Sequence, residues 1–192
     1  MAAVILNVIN AVLIIGAVIA ACRKAESEQK KKRVVLRYFT VLSNLLCALA
    51  SLTAAACRTA EGIAFGASLF KFVATCAVTV TLLTVFLFLG RAYGGVGELL
   101  KGQDLFLHLI CPVLAILTYC FFDRVRMGAA YALLGALPVL LYGILYMYKV
   151  LFAPESSRWE DFYTFNRGGK WPVAFAAMLI AALVISFILW LL

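Results

Sequence analysis

Residues 34–57 read VVLRYFTVLSNLLCALASLTAAAC, an apolar run long enough to cross a bilayer whose few polar members are not scattered. Arg37, Thr40, Asn44, Cys47 and Ser51 succeed one another at spacings of three or four, so on a helix they form one stripe, with Ser43 beside it. A helix bathed in lipid has no use for such a stripe. One packed in a bundle, or lining a wet cavity, does.

The rest of the chain agrees with a membrane setting. Hydrophobic residues make up 66% of the 192 and charged residues 14%, a balance that polar surface cannot cover in a soluble domain of this size. Six stretches, approximately 2–21, 35–57, 71–90, 105–122, 128–151 and 173–192, come close to the roughly 20 apolar residues that span a hydrocarbon core about 30 Å thick. They predict an all-α fold, a single bundle of six transmembrane helices forming one domain over residues 1–192. No run of alternating polarity suggests a β-barrel.

The net charge of +8 would point to nucleic acid in a soluble protein, but here the basic residues lie between spans and act as topology signals, so no nucleic-acid partner is expected. With the 22–34 connection in the cytoplasm, thirteen Lys and Arg fall on that side against four opposite (Arg58, Lys71, Arg124, Arg126), which predicts both termini outside. The run Lys30-Lys31-Lys32-Arg33 reads first as a topology determinant and second as a contact for anionic headgroups. Ile19-Ala20-Ala21-Cys22 resembles a lipoprotein cleavage box, yet the stretch before it has no positive charge, and it is kept as a helix. Asn7 and Asn10 on that helix are expected to bond neighbouring helices.

Of six cysteines, Cys47, Cys76, Cys111 and Cys120 fall within spans and none forms a Cys-x-x-Cys pair, so they read as buried thiols. With one histidine beside them, neither a metal nor another cofactor is expected. Residues 58–70 read as a loop broken by Gly62 and Gly66, and Gly90–Gly97 as a turn without the context of a phosphate loop. Thr75, Thr79, Thr81 and Thr84 read as back-bonded to their own helix. In the fifth span Pro138 precedes a stripe of Tyr142, Tyr146 and Lys149, and the 159–172 connection mixes aromatics with charge, as an interfacial anchor or a lid would.

The fourth span opens with Asp104 as its expected N-cap and presents His108, the sole histidine, four residues later. Pro112 follows at the next i+4 position and deprives the His108 carbonyl of its usual partner, opening room below the ring. Asp104 and His108 share a helix face, so the carboxylate is a candidate to orient the imidazole. The second and fourth spans start from the same side of the membrane, which puts Thr40 and His108 at a similar depth, roughly 6–8 Å inside the boundary at 1.5 Å per residue.

Tyr38-Phe39-Thr40-Val41-Leu42-Ser43-Asn44-Leu45-Leu46, followed by Leu107-His108-Leu109-Ile110-Cys111-Pro112-Val113, resembles the paired signature of the androgen-induced-gene and androgen-dependent TFPI-regulating protein family and its prokaryotic relatives. In the animal members a threonine in the second span and a histidine in the fourth support hydrolysis of fatty acid esters of hydroxy fatty acids. The resemblance implies Thr40 and His108 in those places, a lipid ester drawn from the bilayer as substrate, and, from the form Thr-Val-Leu-Ser-Asn, a bacterial plasma membrane as location. The chemistry is coherent, since a threonine hydroxyl needs a base, and histidine is the side-chain type whose ordinary pKa lies near neutrality. Asn44 and Arg37, one turn to either side of Thr40, are candidate oxyanion donors, and Cys111 is a rival nucleophile. The other classes to weigh are a noncatalytic lipid-binding protein and a small transporter. The transporter lacks support from acidic residues, all nine of which lie in connections or at helix ends.

Overall fold

The computed structural model describes residues 1–28, 32–90 and 94–192, and of residues 32 and 33 the backbone alone. The basic run 30–33 and the middle of the 90–97 turn therefore lie outside the residues or side chains described. Among the described residues six helices are long and apolar enough to cross a membrane: α1 (Ala2–Ser27), α2 (Phe39–Ala56), α3 (Phe65–Leu89), α4 (Gln103–Asp123), α5 (Ala129–Phe152) and α6 (Trp171–Leu191). The chain is an all-α, multi-pass membrane protein. Leu49, Leu87, Leu141 and Val184 each remain more than half exposed on its outside, a liability in water and the natural state against lipid.

Helix α3 joins two cores. Ala74 and Val78 pack with Ala11 and Ile14 of α1, Val41 and Cys47 of α2 and Leu107 and Cys111 of α4. Phe72, Cys76 and Val80, spaced at i, i+4 and i+8 on another face, pack with Tyr119 of α4, Val139 of α5 and Ile185 of α6. Thr75 and Thr79 bond back to the carbonyls four residues earlier, which satisfies their hydroxyls within α3. Close approach between α5 and α6 depends on Gly135, where a Cβ would overlap Ser186, whose hydroxyl donates to the Ala132 carbonyl.

Two boundaries differ from those read in the sequence. Residues 58–63 form a hairpin, β1 (Arg58–Thr59) antiparallel to β2 (Gly62–Ile63), which turns through Ala60 and Glu61 into Gly62 at φ +141°. Helix α3 then starts at Phe65, so Gly66 is helical rather than a breaker, and Lys71 is not a loop charge. Lys71 is fully buried and donates to Asn7 Oδ1 at 2.8 Å and Ser51 Oγ at 2.6 Å. Asn7 Nδ2 donates in turn to Asp123 Oδ2 at 2.8 Å, while Arg58 binds Asp123 Oδ1 at 2.6 Å. Four helices and the hairpin are tied by this network, since an ammonium in a dry interior is tolerated only when its donors are met. Asn10 reaches a different helix, donating to Cys47 Sγ at 3.7 Å.

Candidate active site

Opposite that network, on the side where α2 and α4 begin, two departures of the backbone from regular helix shape the surroundings of Thr40 and His108. A 3₁₀ segment over Lys32–Arg37 ends at Tyr38, whose extended conformation (ψ 131°) precedes α2 without any side-chain cap. Thr40 is therefore the second residue of α2, closer to the boundary than a helix running from residue 35 would place it. The leading N–H groups of a helix have no partners within it. That of Phe39 donates instead to the hydroxyl of Tyr163, at 3.0 Å.

Tyr163 comes from the connection between α5 and α6, which folds back as an aromatic lid. Its shape is held by Asp161, whose carboxylate accepts from Tyr146 Oη at 2.8 Å and from the backbone N–H groups of Phe165 and Asn166 at 3.0 and 2.8 Å. Tyr146 Oη accepts the Tyr163 N–H at 3.1 Å. The rings of Tyr142, Tyr146 and Phe162 close around Tyr163. Burial pushes the Tyr163 phenol up to about 12, against the opposing pull of its hydrogen bonds with Phe39, Tyr142 and Thr40. It is thus a neutral hydroxyl at physiological pH, beside the Thr40 side chain.

The second departure is at His108. Phe106–Ile110 forms a widened π turn in which the Cys111 N–H reaches back to the Phe106 carbonyl. This leaves the Leu107 carbonyl without a backbone donor, since residue 112 is a proline. Asn44 of α2 fills the gap: its Nδ2 donates to Leu107 O at 2.9 Å and to Thr40 O at 2.8 Å. Both partners are carbonyls, so the amide must face them with its nitrogen. Asn44 is buried with both N–H bonds used, and the expectation of an oxyanion donor there is corrected to a strut that registers Thr40 against the His108 turn.

His108 itself is nearly buried, and its Nδ1 lies 2.7 Å from the Leu99 carbonyl. A carbonyl only accepts, so Nδ1 carries the proton and Nε2 of the neutral ring is left with its lone pair. The orienting contact expected from Asp104 falls at Nδ1 to Leu99. Asp104 is also not the N-cap of α4; that position is Gly102, at φ +58°. The carboxylate stays close, within electrostatic reach of His108 and Lys24. Arg37 turns away, its guanidinium 5.7 Å from the centre of the Trp159 ring, which corrects its assignment as an oxyanion donor. Cys111 is fully buried in the core formed by α1 to α4 and lines neither cavity described below.

Two cavities meet at Thr40. The wider, about 350 Å³ open to the centre of a water-sized sphere, is lined by Thr40, Asp104, His108, Tyr38, Tyr163 and Lys24 among others. The narrower, about 40 Å³ by the same measure, runs between α2, α3, α5 and α6 past Phe39, Thr84, Tyr142 and Phe175. Thr40, Leu89 and Tyr163 line both. Thr40 and His108 line one cavity although their depths differ from the matched ones expected, Thr40 being the second residue of α2 and His108 the sixth of α4. Tyr163 and Leu99 were not anticipated: the aromatic content of the 159–172 connection hints at the first, and a backbone carbonyl leaves no mark in a sequence.

Fold and site together define a polytopic helical membrane protein with a hydroxyl, an imidazole and a carboxylate around a cavity just inside one face of the bundle. The chain matches no family model, no curated protein and no solved structure.

Proposed function

We propose that this protein is an intramembrane hydrolase of lipid esters, with Thr40 as nucleophile and His108 as base. The observation that carries the reading is that Thr40 and His108 line one cavity while His108 Nδ1 is committed to the Leu99 carbonyl, leaving Nε2 as the basic atom. The resemblance of residues 38–46 and 107–113 to the androgen-induced-gene family supports the same pair.

In the first step the Thr40 Oγ1 proton passes to His108 Nε2 as Oγ1 bonds to the ester carbonyl carbon. The bond from that carbon to the alcohol oxygen then breaks, and the alkoxide takes the proton from Nε2, leaving acyl-Thr40. Water attacks the acyl carbon and gives a proton to Nε2; the bond to Oγ1 breaks, and Oγ1 recovers the proton as the acid departs. The charge on the carbonyl oxygen needs a donor, and the Tyr163 hydroxyl is suited to it. It is polarised by the Phe39 N–H that it accepts and stands at the positive end of α2. We assign the protein to a bacterial plasma membrane with both termini outside, and its substrate to the lipid of that membrane.

The test is turnover of a fluorogenic lipid ester by the purified protein, together with labelling by a fluorophosphonate and mapping of the adduct by mass spectrometry. Turnover and labelling should vanish in Thr40→Ala, and both should fall by at least about a hundredfold in His108→Ala. An adduct on Cys111 that survives Thr40→Ala would move the nucleophile to α4 and end this assignment.

A further inference from the structure

We infer that the two cavities divide the substrate, the narrow one taking a straight acyl chain and the wide one the polar alcohol that leaves. The inference rests on the Thr40–His108 reading and adds a direction to it. The group that takes the nucleophile's proton must hand it to the departing alkoxide, so the alcohol lies on the imidazole side of the scissile carbonyl. His108 lines the wide cavity and not the narrow one. Thr40 lines both, so an acyl group bonded to its oxygen extends the other way, into the slot.

The linings suit that division. The wide cavity carries Asp104, Lys24 and His108, groups that favour water and a polar partner over a hydrocarbon chain. The slot is walled by Phe39, Val139, Gly143, Phe175 and Met178, and of the hydroxyls beside it those of Tyr142 and Tyr146 are already given to the Arg37 carbonyl and to Asp161. The slot is tight, holding about 40 Å³ against about 350 Å³ on the other side, so a chain that enters must part the aromatic wall, and a ring or a branch must part it further. The wall is also set by a close approach. A Cβ on Gly143 of α5 would overlap the Phe175 ring of α6, so the ring sits where it does because residue 143 has no side chain.

Chain-length selectivity should therefore be read at Gly143 and Phe175. The assay compares kcat/KM for p-nitrophenyl esters of straight-chain acids from short to long. Phe175→Ala lengthens the slot and should raise the ratio of long to short by about tenfold or more, the worth of a methylene or two in an apolar pocket. Gly143→Ala drives the ring inward and should move the ratio the other way. Lys24→Met should leave the acyl profile alone and alter the preference among alcohols in a matched series of esters of one acid. Phe175 lies on the peripheral α6 and is half-buried, so its truncation spares the core even where Gly143→Ala fails to fold.

Binding of cis-parinaric acid, followed by its fluorescence, reads the slot without turnover. Wild-type binding that is changed at least several-fold by Phe175→Ala and not by Lys24→Met supports the chain site even if no ester is hydrolysed, a result that would remove only the hydrolase reading. An acyl profile and a cis-parinaric acid affinity both indifferent to Phe175→Ala overturn the division, as does an acyl profile that follows Lys24 instead, or the lack of any binding by the wild type.

Discussion

Asn44 and Tyr163 show how far a side chain's identity carries and where it stops. The spacing of Thr40 and Asn44 on one stripe is legible in the sequence, and so is the start of the second and fourth spans from one side, which lets Thr40 and His108 reach one cavity. The hydrogen-bond partners are not, because they are set by backbone groups that the local geometry frees. Asn44 is a strut because a carbonyl of α4 has lost its donor, and Tyr163 enters because the first amides of α2 have none. Tyr163→Phe separates packing from chemistry, since it keeps the ring among Tyr142, Tyr146 and Phe162 and deletes the hydroxyl alone. Turnover of the fluorogenic ester should fall about a hundredfold in kcat with KM little changed, the usual cost of one oxyanion donor. Equal losses in KM and melting temperature with kcat intact would reduce the residue to a helix cap. The same phenol has a stability signature. It holds its proton more tightly folded than unfolded, so its contribution is complete below the ordinary tyrosine value of about 10 and is lost as pH rises through about 12.

At the scale of the elements, α4 departs most from what its sequence suggests at first sight. Pro112 predicts a lost hydrogen bond and a bend below His108. What forms is a π turn over Phe106–Ile110, in which the i+5 bond of Cys111 replaces the regular one and the ring is presented toward Leu99. Helix α2 starts at Phe39, several residues beyond the start of its apolar run, for a related reason: Tyr38 before it is extended and makes no side-chain cap, and the apolar pattern runs straight through the preceding 3₁₀ turn. Pro112→Ala returns an N–H to position 112 and permits regular bonding through residues 106–112. The π turn should relax, rotating His108 away from the cavity by as much as one residue's step of about 100°. We expect a melting temperature equal to or above that of the wild type, with turnover at least about tenfold lower. Full activity in a protein of unchanged helical content would show that the π turn has no part in placing the base.

For the molecule as a whole, the number of spans and the membrane class were legible from composition and length, because those depend on bilayer thickness and not on detail. The charge map was only partly so. Lys71 stands in the sequence as one of the four cations of the outer side, yet it lies fully buried in α3, held by Asn7 and Ser51; no single-residue property distinguishes a lysine that faces water from one whose partners come from two other helices. Its relocation strengthens the topology argument. The face opposite the site keeps only Arg58, Arg124 and Arg126, and Arg58 is spent on Asp123. Thirteen cations remain on the side of the 22–34 connection, an excess that the positive-inside rule assigns to the cytoplasm. The native Cys57, exposed at the end of α2, already reports the other face. In intact cells a membrane-impermeant maleimide should label Cys57 and fail to reach Ser27→Cys or Ser156→Cys introduced in a Cys57→Ser background, both positions being exposed on the basic side. Permeabilisation should make those two reactive. Labelling of Ser27→Cys and Ser156→Cys from outside, with Cys57 protected, would invert the protein in the membrane and open the wide cavity to the exterior, while leaving Thr40 and His108 together, because their common side follows from the order of the spans.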